Sequence, residues 1–456
     1  MQSAERQTDA HRIERFSKPV PRYTSYPTAP HFHEDITASD YRAWLAGLDR
    51  ETAISLYVHI PFCDRLCWFC GCTTKQIARY DPVPLYLKHV HAELDLVRAA
   101  IGFRPSIHHL HLGGGSPSMV LPSDLERLRR ALDDRFDFTD DACISIEIDP
   151  SDKADDALSG LRAMGMTRAS IGVQDFEPRV QEAINRPQSF AETARTVDAL
   201  RSIGVHSLNI DALYGLPYQT EQTVEDSLAK VVSLEPDRIA LFGYAHVPWM
   251  KKHQTLIPEE ALPGPLERFA QARLAADILI GNGYVPIGID HFARPTDSLA
   301  RAATDGGLRR NFQGYTDDSC MTLVGIGASS IGRLPQGYVQ NETATGTYMR
   351  RVAAGELPIA RGVALTAEDH LCSDVIEDLM CRFGFSLKRV AARHGRQADL
   401  ISRRIAEAMR GADAELVTFD GDWFGVHPDA RAFTRTVASW FDERLRQKAA
   451  RYSMAV

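Results

Sequence analysis

The chain has 456 residues, 52 basic and 60 acidic, for a net charge of −8; 44% of its residues are hydrophobic and 25% charged. At ~100–200 residues per domain this length predicts two or three domains of ordinary globular composition. The mild acidity argues against a general nucleic-acid binder, the charged opening MQSAERQTDAHRIERF does not read as a signal peptide, and no uncharged apolar run approaches the ~20 residues that span a bilayer.

Residues 1–50 read as an extension whose segment PRYTSYPTAP, rich in proline and aromatics, lies over the main body. Short apolar strands then alternate with helical patterns from about residue 54 to 293. ISLYVHIP (54–61) is the first strand. It runs into HIPFCDRLCWFCGC, where Cys63, Cys67 and Cys70 are spaced C-x3-C-x2-C and Cys72 follows two positions on. Three thiolates on one short loop can hold three irons of a cubane cluster and leave the fourth open to a small molecule, whereas electron-transfer clusters take four cysteines. A structural zinc site would need a second ligand pair, which does not follow at a usual distance. Four cysteines within ten positions fit a metal site in a reducing cytoplasm better than disulfides. Cys72 reads either as a free buried thiol or as a reactant near a cofactor.

HHLHLGGG (108–115) is the second strand. Alternation sends His108 to one face and His109 and His111 to the other, so they read as packed or hydrogen-bonded residues and not as a zinc cluster. The strand ends in GGGSP (113–117), whose glycines let a backbone come close to a ligand. SDLERLRRALDDRF sets Leu125, Leu128 and Leu132 on one helical face, with Ser123 as N-cap. CISIEID (143–149) ends in Glu147 and Asp149, acids suited to an ammonium or a ribose hydroxyl, and RASIGVQ (168–174) ends in Gln174. In SLNIDALYGLP (207–217), Asp211 lies within an apolar run and requires a partner, either ribose hydroxyls or Arg186. TEQTVEDSLAKVVSL is a helix capped by Thr220, and RIALFGYAHV (238–247) and VPIGIDHFA (285–293) complete seven strands. GIGASSIG (325–332) lacks the third glycine of a dinucleotide fingerprint. From about residue 364 the pattern turns helix-rich, with a strand pair near LVTFDGDWFGVHP. Cys143, Cys320, Cys372 and Cys381 are scattered and read as small buried hydrophobes. Repeated strand–helix units imply parallel strands with right-handed crossovers, in an open sheet or a barrel. Gly113–Gly115, Glu147, Gln174, Asp211 and Ala245 with His246 then share the C-terminal rim, where barrel active sites sit.

HIPFCDRLCWFC resembles the cluster loop of radical S-adenosylmethionine (SAM) enzymes, and GGGSP, IEID, GVQDF and NIDALYGLP resemble that superfamily's cofactor-binding strand ends. More narrowly, PRYTSYP, CWFCGC, GVQDF, DALYGLP, GYAHVP, DHFARP and RNFQGYT resemble, in the same order, the oxygen-independent coproporphyrinogen III oxidase family. The resemblance implies an α/β fold: a three-quarter (β/α)6 radical SAM barrel over 51–363, an N-terminal extension (1–50) over the active site, and a C-terminal helical, winged-helix-like domain over 364–456. It implies a 4Fe–4S cluster on Cys63, Cys67 and Cys70 and two SAM molecules. Tyr57, Gly114, Glu147 and Ile331 match the family's contacts to the first molecule. Phe69, Gly115, Ser116, Gln174, Arg186, Asp211 and Ala245 match positions associated with the nucleoside and the second molecule. Cys72 and Tyr57 are the implied catalytic residues.

The implied reaction is oxidative decarboxylation of two propionates of coproporphyrinogen III to vinyl groups, giving protoporphyrinogen IX through a 5′-deoxyadenosyl radical. The implied partner is a small electron donor such as flavodoxin or ferredoxin, with no nucleic acid and no membrane span; the chain would be a cytoplasmic monomer. Arg22, Arg294 and Arg310 lie in family-like segments and suit the substrate's carboxylates. Ser116 and Asp317 stand where the family usually has threonine. The alternative is a haem-binding relative acting as a haem chaperone without oxidase activity. Those relatives typically carry Asp-Phe after the third cysteine; Gly71-Cys72 here, and the long extension, favour the oxidase.

Overall fold

The computed structural model describes residues 10–152, 154–411, 413–447, 452 and 454. Its first strand, β1 (Ile54–Ile60), shows the rule on which the body is built. Ile54, Leu56, Val58 and Ile60 are buried in the main core, and Ser55, Tyr57 and His59 take the opposite face of the pleat. The same alternation of apolar outside and polar inside runs through β2 (Ser106–Gly114), β3 (Asp137–Ile148), β4 (Arg168–Gln174) and β5 (Ser207–Tyr214), while β6 (Arg238–Gly243) buries Ile239 and Leu241 outside but sets Ala240 and Phe242 beside Arg238 on its other face. These six lie side by side in chain order, all parallel. They make the parallel core of the partial barrel that the repeated strand–helix units predict.

The crossovers are α1 (Pro82–Ile101), α2 (Pro122–Asp133), α3 (Ala154–Ala163), α4 (Phe190–Ser202) and α5 (Glu221–Ser233), with α6 (Pro265–Gly281) after β6. In α1, Val83, Leu87, Val90, Leu94, Val97 and Ile101 recur every three or four residues and form a buried stripe against the outer face of the strands. Leu125, Leu128 and Leu132 of α2 are buried as expected. Ser123 is not its cap: the helix opens on Pro122, whose fixed φ and missing N–H suit the first turn. Thr220 does cap α5, accepting from the Thr223 N–H at 3.2 Å.

The expected seventh strand is instead a hairpin, β7 (Val285–Ile287) and β8 (His291–Ala293), with β8 antiparallel to β6. Gly288 breaks it with a φ of 57°, at a point where a Cβ would run into the Tyr315 ring. On the other side, β9 (Leu323–Ile326) pairs parallel with β1, and β10 (Ile331–Leu334), β11 (Gly337–Asn341) and β12 (Ile359–Ala364) continue antiparallel to complete a sheet of 12 strands. The GIGASSIG segment is thus the turn between β9 and β10, pinned to α1 by Glu93, which accepts from the Gly327 N–H at 2.7 Å and from Tyr348 and Asn341 at 2.6 Å.

After β12 come α7 (Ala367–Arg382), further helices and a three-stranded antiparallel sheet of 384–386, 423–426 and 417–419. Ile13, Phe16, Tyr23 and Tyr26 of the N-terminal extension enter this second core beside Phe385, Phe424 and Phe433, while Tyr41 and Leu45 join the main core. Among the described residues no helix is long and apolar enough to cross a membrane.

At the N-terminal ends of β4 and β6, Arg168 and Arg238 converge on Asp317, at 3.1 and 3.2 Å from its Oδ2. Burial works to raise the Asp317 pKa, but the two guanidiniums overcome it and hold the carboxyl well below its ordinary range. This departure from the family's threonine is therefore part of the barrel's base. Asp317→Ala leaves the half-buried Arg168 without its anion and Arg238 with Asp297 alone, at 2.6 Å, and is expected to destabilise the fold by about 1–3 kcal/mol. Urea unfolding checks this; an unchanged midpoint would refute the structural role.

Candidate active site

The cysteine loop has almost no regular structure of its own. Residues 62–63 pair with 75–76, and the loop backbone is otherwise tied to distant segments. On one side the Trp68 N–H reaches the Ile184 carbonyl at 2.9 Å, Asn185 donates to Leu66 O at 2.9 Å and Arg65 to Pro187 O at 3.1 Å. On the other, Lys251 donates to Cys72 O at 2.9 Å, His253 bonds Cys70 O at 2.8 Å, and Gln254 bridges Phe69 O (3.0 Å) and Ala245 O (3.2 Å). From below, the N–H groups of Gly115 and Ser116 bond Ile60 O and Phe62 O at 2.8 and 2.7 Å.

These last bonds explain the glycine run. A Cβ on Gly114, at a φ of 114°, would strike the His59 ring, and one on Gly115 would strike the Phe62 carbonyl. The room the glycines leave is taken by the base of the cysteine loop. The Ser116 hydroxyl is buried and donates to Asp152, whose pKa is pushed up to about 7 by burial and by Asp149.

Tyr57, His59, His111 and Glu147 form one connected group on the inner face. Tyr57 Oη lies 2.9 Å from His59 Nδ1, and His59 Nε2 lies 3.0 Å from Thr73 O. The Tyr57 ring stacks on His111 at 5.7 Å, and His111 Nε2 is 3.2 Å from Glu147 Oε1. The Gly114 N–H donates to Glu147 Oε2 at 2.9 Å. Burial works to raise the Glu147 pKa, but His111 and the Gly114 amide outweigh it and keep the group an anion. Cys72 is exposed at the mouth, and its hydrogen bond and proximity to Cys70 push its thiol well above the ordinary range, so that it stays protonated near Tyr57.

Arg186 does not pair with Asp211. It bonds Asp149 Oδ2 at 3.1 Å, Cys67 Sγ at 3.3 Å and Gly172 O at 2.7 Å, and so locks the cysteine loop to the ends of β3 and β4. Asp211 accepts instead from Asn209 at 2.7 Å and Ser170 at 3.1 Å; burial, then the charge of Glu147, pushes its pKa up to about 6. Gln174 ends β4 at a φ of 71°, a left-handed conformation that costs a non-glycine residue ~1–3 kcal/mol and recurs at functional sites. Phe69 packs with Val180, Leu216 and Tyr244 below the loop. Ile331 lies on β10 against Gly325, the residue that pairs with Tyr57. Beneath the rim, the inner face bounds a cavity of about 100 Å³ lined by residues such as Ser55, His109, Ser170 and Asn209.

Among the described residues, no three His, Cys, Asp or Glu side chains stand close enough to hold a single metal ion. A cubane makes a different demand, because each thiolate binds its own iron. Cys63, Cys67 and Cys70 lie within reach of one another's charge, Cys67 buried and the other two partly open. Burial, then Cys70 and Cys67, pushes the Cys63 thiol up; burial raises Cys67 against the pull of Arg186. A bound metal would hold such thiols deprotonated. This donor set, with the Arg186 cation beside it, fits a three-cysteine cluster.

Of the arginines expected to meet carboxylates, Arg294 lies at the wrong rim: it stacks on Tyr284 at 4.2 Å, and its N–H bonds Asp237 O just before β6. Arg22 and Arg310 lie near the C-terminal end of β6, and Arg268 and Arg435, which the sequence did not single out, join them. Only the tertiary junction distinguishes these two from solvated helix arginines.

The radical SAM superfamily model matches residues 57–231. The oxygen-independent coproporphyrinogen III oxidase of Paracoccus denitrificans (strain Pd 1222) is 46% identical over 439 residues, 96% of this chain and 97% of the relative. That of Escherichia coli (strain K12) is 38% identical over 440 residues, 96% of this chain and 95% of the relative. The solved structure of coproporphyrinogen III oxidase from Escherichia coli, a radical SAM enzyme, matches with a TM-score of 0.88 at 35% identity, over 94% of this chain and 100% of that one.

Two substitutions test the site. Cys67→Ser should lose the cluster, since serine is a poor substitute for a soft thiolate, while Cys143→Ser keeps it; equal iron and sulfide content in both would contradict the ligand assignment. Asp211→Asn should keep the cluster and weaken SAM binding ~10–100-fold, the value of a hydrogen bond to a charged group. Because the carboxylate forms above a pKa of about 6, parental affinity should also fall as pH drops through that value, and the variant's should not. Equilibrium dialysis of reconstituted protein reads both.

Proposed function

The chain belongs to the oxygen-independent coproporphyrinogen III oxidase family of the radical SAM superfamily, and we propose that it converts coproporphyrinogen III to protoporphyrinogen IX by removing carbon dioxide from two propionates without oxygen. The observation that carries this reading is the three-cysteine loop held over a barrel mouth whose inward faces are polar. Cys63, Cys67 and Cys70 would hold the 4Fe–4S cluster, and SAM would occupy the strand ends beside it. When bound, the cluster and SAM supply the one-electron chemistry that takes a hydrogen from the propionate β-carbon; loss of carbon dioxide and one electron then leaves the vinyl group.

The chain's own residues do the rest by positioning. Arg186 offsets the negative charge gathered on the thiolates and fixes the loop against Asp149. Glu147, held as an anion by Gly114 and His111, can accept a hydrogen bond from a cationic amine or a hydroxyl of SAM. The His59 contact fixes the Tyr57 hydroxyl at the inner face, below Cys72. Gly114, Gly115 and Ser116 seat the loop, and Phe69, Gln174, Asp211, Ala245 and Ile331 complete the wall of the SAM site. A second SAM molecule, a flavodoxin- or ferredoxin-like donor, a monomeric state and a cytoplasmic location belong to the same reading. The exposed Cys72 thiol supports a reducing compartment.

Under anaerobic conditions with SAM and dithionite, the brown protein, with about four irons and four sulfides per chain, should form protoporphyrinogen IX from coproporphyrinogen III. Absence of that product would overturn the reading. Cys72→Ser should keep the cluster and lose most product formation per assembled cluster; parental turnover would return Cys72 to a passive role.

A further inference from the structure

Four arginines meet where the N-terminal extension, α6 and the C-terminal region close on the end of β6. Arg22 donates to Gly243 O at 2.9 Å and Arg268 to Tyr244 O at 2.8 Å. Arg310 stacks 4.3 Å over Tyr315 and lies 3.5 Å from Asp290; Arg435 reaches Met454 O at 2.9 Å. Arg22 is repelled by Arg310 and Arg268, and Arg435 by Arg22 and Arg310. The carboxylate that faces Arg22, Arg310 and Arg435 is Asp290, already bonded to His291 Nδ1 at 2.7 Å. Arg310 and Arg435 are 7% and 8% exposed. Nε and Nη1 of Arg310 and the Nε atoms of Arg268 and Arg435 are buried with no hydrogen-bond partner among the described residues.

Guanidinium stays protonated in proteins, and a buried charge is tolerated only when paired. Four cations around one carboxylate therefore leave an excess of positive charge and unused donors, which is the complement of an anion. The planar fork of arginine selects carboxylate or phosphate. The group stands at the same rim as the cysteine loop: Gly243 and Tyr244 immediately precede Ala245, whose carbonyl shares the Gln254 amide with Phe69. All four arginines lie outside residues 57–231, the segment that matches the superfamily at large.

We propose that Arg22, Arg268, Arg310 and Arg435 form the site that holds a propionate carboxylate of the substrate and so positions the tetrapyrrole at the barrel mouth. The proposal rests on the reaction assigned above, which brings in a substrate with four carboxylates. A carboxylate could also come from the methionine end of SAM, and the test separates the two.

Arg22→Gln and Arg435→Gln holoenzymes should keep parental iron content and SAM affinity, while their affinity for coproporphyrin III, the unreactive porphyrin, falls ~10–100-fold in a fluorescence titration. The tetramethyl ester of coproporphyrin should bind parent and variants equally weakly. Should Arg435→Gln fail to fold, Arg22→Gln on the extension and the charge-conserving Arg435→Lys decide, the latter with a smaller loss. Unchanged porphyrin affinity in a parent that turns over removes the site and leaves the reaction standing. SAM affinity falling with porphyrin affinity assigns the site to the cofactor and overturns the proposal. A parent that binds coproporphyrin III through these arginines but forms no protoporphyrinogen IX removes the reaction and upholds the site.

Discussion

Three thiols within eight residues have to face one space from a loop that cannot hold itself, and the rest of the molecule is arranged around that requirement. Backbone carbonyls of the loop are met by side chains from the segment after β4 and from the segment after β6, and its base is met by amides from the end of β2. A loop anchored by only one of these would move with that element. Anchored by three, it keeps its place only if the strand ends keep theirs. The Asp317 ion pairs, which tie the starts of β4 and β6 together at the opposite end of the barrel, thus bear on the cysteines although they lie far from them.

The second consequence concerns charge. Thiolates, Glu147, Asp149 and Asp211 gather negative charge at one side of the mouth, with Arg186 set among them. The four-arginine group gathers positive charge at the β6 side. A cationic sulfonium and a polyanionic tetrapyrrole thus meet opposite fields across one opening, which orients each before any close contact forms.

Much of this was legible in the residues. The six parallel strands announced themselves by apolar outer positions, and the cysteine spacing specified the donor set. The first half of β3 did not, because DFTDDA is exposed and polar and offers no hydrophobic signal. Nor did β9 to β12, which run four to six residues each, while β7 and β8 were read as one strand because the reversal at Gly288 interrupts an otherwise apolar run. The loop clamps were hidden for a different reason: Gln254, His253 and Asn185 act on carbonyls more than a hundred residues away, and a side chain bonded to a distant backbone leaves no local pattern. Arg186 was one of two partners offered for Asp211, the other being ribose hydroxyls; it lies in the loop after β4, and only geometry decides that Asp149 and Cys67 take it.

The strict alternation of the barrel strands divides the consequences of mutation by parity. In β1, even-numbered positions such as Leu56 and Val58 pack in the main core, and odd-numbered ones such as Tyr57 and His59 line the polar inner face. An ordinary barrel fills its interior with branched apolar side chains, so both sets would bear on folding. Here the inner set is polar, and Ser55 and His59 are as buried as the core, held by hydrogen bonds such as His59 to Thr73 O. A change at an even position costs packing against the helices, and a change at an odd one breaks a bonded group that reaches to the cysteine loop. The two halves of one strand therefore answer to different constraints, shape on one side and hydrogen bonding on the other.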